Sequence, residues 1–164
     1  MEHPSQKPLH RVLLRVMADY HQFYIWDPVV SHREAPVDWT EKDVSNRVKA
    51  ASGVVVVCPL RNMDVPVEIS LWESTPMICY AEWQHVVVAP LQVTSGKLQI
   101  EECTGGTLAE FSIVKGHYSV RCLFNGLDTI SEDGLEGGDF YAIQIWPEER
   151  PILEVIQTWP SPGN

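Results

Sequence analysis

With 164 residues, 45% of them apolar and 9% aromatic, the chain is long enough to bury a substantial core without help from disulfides. The formal net charge of -10, from 12 Lys+Arg against 22 Asp+Glu, argues against phosphate backbones and anionic lipid surfaces as partners and leaves basic proteins and cations. Residues 1–82 carry 8 basic and 11 acidic side chains and residues 83–164 carry 4 and 11, so the halves stand at -3 and -7 and the acidic face belongs mainly to the second.

The first ten residues, polar and twice broken by proline, are expected to form a flexible leader, with residues 11–160 as one domain. No apolar run approaches the roughly 20 residues of a membrane-spanning helix, and no signal-peptide pattern is present, so a cytoplasmic protein is expected. Asp19 to Trp26 is rich in aromatics and predicts a strand, stopped by Asp27-Pro28. Thr40 is a good N-cap with Asp43 as its capping-box partner, and Val44, Val48 and Ala51 recur at helical spacing up to Gly53, which predicts a helix over 41–51.

Beyond it, eight short runs rich in β-branched and aromatic residues predict strands: 54–58, 65–72, 83–94, 97–101, 108–114, 118–124, 140–146 and 152–158. Ser95-Gly96 and Lys115-Gly116 mark hairpin corners, and Pro66 and Pro90 require an edge, a bulge or a later start in their strands. About ten strands and one short helix predict a mostly β fold, a two-layer antiparallel β-sandwich with the helix covering an edge or end.

The strongest candidate site is the connection from Asn125 to Asp139. It places Asp128, Glu132, Asp133, Glu136 and Asp139 among four glycines without a basic residue. Such a loop suits docking into a basic cleft, with Leu127, Ile130 and Leu135 as anchors. Calcium binding is the alternative use of clustered carboxylates, although the alternating ligand order of an EF-hand is missing.

A possible second site is Tyr20, His21 and Gln22 with Asp38, where His21 paired with Asp19 or Asp38 could act in hydrolysis; no Gly-x-Ser-x-Gly or other nucleophile signature accompanies them. His3, His10, His32, His85 and His117 do not converge in sequence, and no phosphate-binding glycine motif occurs, so neither a metal nor a cofactor is expected. Cys58, Cys79, Cys103 and Cys122, spaced 21, 24 and 19 positions apart, predict reduced core thiols rather than a zinc site. Six tryptophans leave open a groove for sugar or peptide, and Trp39 is expected to pack on the helix from the staple position.

Tyr20-His21-Gln22-Phe23, followed by Asp38-Trp39-Thr40, a capped helix and a strand after Gly53, resembles the bacterial competence protein ComJ (Nin) family over residues 19–58. That resemblance implies a small acidic protein that inhibits a DNA-entry nuclease. The expectation is thus a non-catalytic acidic protein that binds and inhibits a basic partner enzyme such as a nuclease, with a carbohydrate- or calcium-binding module as the alternative.

Overall fold

The computed structural model describes residues 6–29 and 36–160. Among these described residues eleven strands form two sheets. In chain order they are β1 (His10–Met17), β2 (Phe23–Trp26), β3 (Val48–Ala51), β4 (Val54–Val57), β5 (Asp64–Leu71), β6 (His85–Val93), β7 (Lys97–Glu102), β8 (Gly106–Ser112), β9 (Gly116–Asn125), β10 (Phe140–Pro147) and β11 (Glu154–Gln157), with one helix, α1 (Glu41–Asn46), between β2 and β3. The six-stranded sheet runs β1-β5-β10-β9-β6-β11 and the five-stranded sheet β3-β4-β2-β7-β8.

The two sheets form the expected sandwich because alternate residues of both face a common core. Val67, Ile69, Val87, Val120 and Ile143 from one meet Phe23, Ile25, Val55, Val57, Leu98 and Ile100 from the other, all fully buried. Tyr24, Trp26, Val54 and Val56 point the opposite way and make a second cluster on the far side of the five-stranded sheet, where Trp39 packs. Trp39 therefore joins the aromatic stack of Tyr24 and Trp26, whose rings lie 4.8 Å apart, rather than stapling the helix alone.

Three local expectations are corrected. The capping box is present, with Asp43 N–H donating to Thr40 Oγ1 at 3.1 Å and Thr40 N–H to Asp43 Oδ2 at 3.0 Å, but the helix ends at Asn46. Arg47 adopts a left-handed conformation (φ 58°) and the chain turns into β3, pairing Val48 with Val57 and Ala51 with Val54. A helix this short gains little from its own backbone, whereas the hairpin buries Val48 completely.

The strand expected from Asp19 begins only at Phe23, because Asp19–His21 forms a 3-10 turn with positive φ at Tyr20 (58°) and His21 (57°). The sandwich is also not wholly antiparallel: β10 lies parallel to β5, the intervening chain supplying the long crossover that a parallel pair requires.

The prolines sit where a neighbouring strand is missing. Pairing with β10 starts at Val67, one residue after Pro66, and β11 pairs with β6 over Val86–Val88, short of Pro90. Of the leader, residues 1–5 lie outside the described residues, as do His3 and His32. Gln6 donates to Thr75 O at 3.2 Å and accepts from Met77 N–H at 2.9 Å, and β1 starts at His10.

Candidate functional site

The 125–139 connection leaves the end of β9 and returns to β10, so both ends are fixed on adjacent antiparallel strands. Gly126 opens it at φ 69°, where a Cβ would collide with the Gly138 carbonyl; the two legs pass too closely for any side chain. Next comes a 3-10 turn over Leu127–Thr129. Gln84 clamps it from outside, accepting from Leu127 N–H at 2.7 Å and donating to Asp128 Oδ2 at 2.5 Å. Thr129 Oγ1 donates to Gly126 O at 2.6 Å and accepts from Gly138 N–H at 2.7 Å, tying the legs together.

At the tip, Asp133 Oδ1 accepts from Ser131 Oγ at 2.6 Å and from Leu135 N–H at 3.0 Å, and Ser131 N–H donates to Glu136 O at 2.7 Å. The Ser131 and Leu135 hydrogen bonds hold the Asp133 carboxyl below the usual carboxylate range. The connection is therefore a hydrogen-bonded ridge.

The predicted site residues divide. Asp128, Glu132, Asp133 and Glu136 are exposed, Leu135 is 54% exposed, and Ile130 is half-buried. Asp139 and Leu127 do not belong to the exposed set. Leu127 packs in the core between the sheets. Asp139 is 1% exposed, accepting from Arg61 Nε at 2.7 Å through Oδ1 and from the Tyr141 hydroxyl at 2.7 Å through Oδ2.

Arg61 also donates to Leu135 O at 3.0 Å, and the Tyr141 oxygen accepts from Leu60 N–H at 3.0 Å. Burial and the adjacent Asp139 carboxylate push the Tyr141 hydroxyl far up, so it remains a donor. Arg61 and Gln84 were not singled out in the sequence: each meets the ridge only through the fold, Arg61 across 78 positions and Gln84 across 43 or 44.

Of the second group, Tyr20 and His21 lie against the 59–62 segment, with Tyr20 N–H donating to Asn62 Oδ1 at 3.2 Å and His21 Nδ1 3.2 Å from Pro59 O. This segment also sends Arg61 and the Leu60 N–H toward Asp139 and Tyr141, so the turn and the ridge share one support. Gln22 instead accepts from the Tyr24 hydroxyl at 2.9 Å, and Asp38 faces Lys49, 3.7 Å away. Asp19 takes a hydrogen bond from Thr104 Oγ1. Neither carboxylate is thus joined to His21 as a hydrolytic pair would require.

Among the described residues no three His, Cys, Asp or Glu side chains converge as a metal site, and none of the six tryptophans is exposed as a sugar platform. The cysteines are free; Cys122 is buried, Cys58 and Cys103 half-buried, and Cys79 exposed rather than in the core. Burial pushes the Cys58 thiol up to about 12, which keeps it protonated. No helix among the described residues is long and apolar enough to cross a membrane.

Fold and site together define a class: a two-sheet β-sandwich carrying a hydrogen-bonded, carboxylate-lined ridge on one inter-strand connection. The family model Competence protein J (ComJ) matches residues 15–141, spanning that ridge, and the chain belongs to this family. The crystal structure of ComJ from Bacillus subtilis, described as an inhibitor of the DNA degrading activity of NucA, is similar with a TM-score of 0.64 at 22% identity, covering 88% of this chain and 100% of that one. A structure described as crocagin biosynthetic gene J is similar with a TM-score of 0.53 at 16% identity, covering 85% of this chain and 96% of that one. At these identities the likeness is one of fold. No curated protein matches the sequence.

Proposed function

We infer that the protein is a stoichiometric inhibitor of a nuclease, acting from the cytoplasm by placing the 128–136 ridge in a basic cleft that would otherwise receive DNA. The observation that carries this reading is the set of four exposed carboxylates, Asp128, Glu132, Asp133 and Glu136, held on a hydrogen-bonded support with Leu135 at its crest. Family membership supports it, as does the inhibitor of NucA among proteins of this fold. A prearranged row of negative charges competes with a polyanion for the same basic residues and steers the encounter at long range. The ring of Tyr20, exposed beside the shared 59–62 support, extends the contact surface. Free thiols fit the reducing compartment that this reading assumes.

The test is a DNA-degradation assay with the nuclease partner and increasing amounts of this protein. Inhibition is expected to titrate at one protein per nuclease and to weaken with salt, as the screening length shrinks from about 30 Å at 0.01 M to about 8 Å at 0.15 M. The Glu132→Lys/Glu136→Lys variant is expected to inhibit about tenfold less well or worse at low salt, since two lost contacts are each worth about 1 kcal/mol in water. Full inhibition by that variant, with the fold unchanged by circular dichroism, overturns the ridge as the contact surface.

A further inference from the structure

The outer face of the six-stranded sheet carries a polar cleft on the strands that flank the ridge. Where β6, β9, β10 and β11 run side by side, a space of about 300 Å³ is lined by Val88, Ser119, Arg121 and Trp146, with Tyr80 and residues of the 148–154 segment around it. Arg121 is 3% exposed, yet among the described residues no carboxylate pairs with it. Its partners are uncharged: Gln144 Oε1 at 2.8 Å from Nε and 2.6 Å from Nη2, and Pro76 O at 2.6 Å from Nη2. Its guanidinium lies 5.0 Å from the centre of the Trp146 ring. Trp146 is itself 4% exposed and its indole N–H is buried without an acceptor.

Burial strips the guanidinium of hydration, and neutral acceptors return only part of that loss. Burial accordingly pushes the Arg121 pKa down, with Tyr80 acting in the opposite direction. An anionic oxygen is a stronger acceptor for a guanidinium than these neutral groups, and an oxygen acceptor is what the indole N–H lacks.

The rim selects among anions. Glu148, Arg150 and Glu154 line the cleft, a rim of net charge -1, and the register Glu154↔Val88↔Arg121 puts Glu154 two strand spacings, about 10 Å, from Arg121. This net charge opposes a dianion twice as strongly as a monoanion. Val88, Pro151, Ile152 and Ile156 give the same space apolar walls. Its volume is at the lower limit of small-molecule sites, which favours a free small ligand over a protein segment. We propose that this cleft binds a small monocarboxylate with a short apolar body, the carboxylate toward Arg121 and the carbon chain against Val88 and Ile156.

The test is a ¹⁵N–¹H titration of the full chain with sodium butyrate, read at the tryptophan indole N–H signals, that of Trp146 being assigned by its loss in Trp146→Phe. The Trp146 signal is expected to shift saturably with a millimolar midpoint, while butyramide at equal concentration leaves it in place and inorganic phosphate moves it less. Glu154→Gln, an exposed edge-strand substitution, is expected to tighten the butyrate midpoint about twofold by removing a like charge about 10 Å away. No saturable shift with butyrate, an equal shift with butyramide or with phosphate, or an unchanged midpoint in Glu154→Gln overturns the proposal. No nuclease enters this titration, so its outcome is independent of the inhibitor reading.

Discussion

Replacing Asp139 by Asn separates the carboxylate that builds the ridge from those that crown it. Each Asp139 oxygen accepts one hydrogen bond, from Arg61 Nε and from the Tyr141 hydroxyl, both at 2.7 Å. An amide keeps one acceptor and turns a donor toward the other partner, while Arg61, 6% exposed, loses its counter-charge. Breaking a buried pair by removing one partner costs about 3–5 kcal/mol. The retained Arg61 bond to Leu135 O places this variant near the lower end, about 3 kcal/mol. For a chain of this size that lowers Tm by roughly 6–12 °C. Urea unfolding followed by tryptophan fluorescence measures the loss directly. Glu132→Gln and Glu136→Gln, both exposed, are expected to stay within about 0.5 kcal/mol of the parent. An Asp139→Asn midpoint indistinguishable from theirs would refute the assignment of Asp139 to structure.

Leu135→Ala should leave the unfolding midpoint unchanged and weaken nuclease inhibition about tenfold, as expected for an apolar anchor at the crest of an interface, measured by titrating inhibition. Thr40→Ala removes one half of the capping box and should cost about 1 kcal/mol in urea unfolding.

Asp27 is raised by burial, but hydrogen bonds from Ser95, Thr94 and Val29 outweigh this and bring it to about 2. Its contribution of about 2 kcal/mol is therefore present above pH 3.8 and lost as pH falls toward 2, a loss that Asp27→Asn should abolish in acid titrations of Tm. His85 is pushed down by burial and by Arg47, so below about pH 6.5 the unfolded chain takes up a proton that the native state resists; stability should fall from there as pH drops, and His85→Gln should flatten that slope in urea unfolding.

The local rules in the sequence were sufficient where neighbours along the chain decide the outcome. The Thr40–Asp43 box, the Gly96 corner at φ 77° and the strand alternation that buries Val67, Ile69, Val120 and Ile143 all belong to that class. They failed where a distant partner decides. Val48 satisfies a helical spacing and a strand equally well, and only the presence of Val57 opposite it selects the hairpin. Tyr20 and His21 are non-glycine residues at positive φ with no local signature, and the Asn62 and Pro59 contacts that accompany this turn come from about forty residues away. Within the ridge, nothing in the local sequence sets Asp139 apart from Asp128 or Asp133, and its burial is set by Arg61 and Tyr141.

Once Asp139 is removed from the set, the remaining charges are not equivalent either. Asp128 accepts N–H donors from Gln84 and Trp159, and Asp133 caps the tip of its own turn. Among the described residues the Glu132 and Glu136 carboxylates have no hydrogen-bond or ion-pair partner, and they flank the Asp133–Leu135 crest. Clustered like charges destabilise a loop unless backbone and side-chain donors hold it together, and here Thr129, Ser131 and Gln84 donate to Gly126 O, Asp133 Oδ1 and Asp128 Oδ2. A support already ordered before contact reduces the entropy lost on binding. The two unpaired carboxylates, having no internal bond to break, give up only hydration when they meet a guanidinium or ammonium. Affinity for a basic cleft should therefore concentrate at Glu132, Leu135 and Glu136, with Asp128 and Asp133 fixing the angle at which these three arrive.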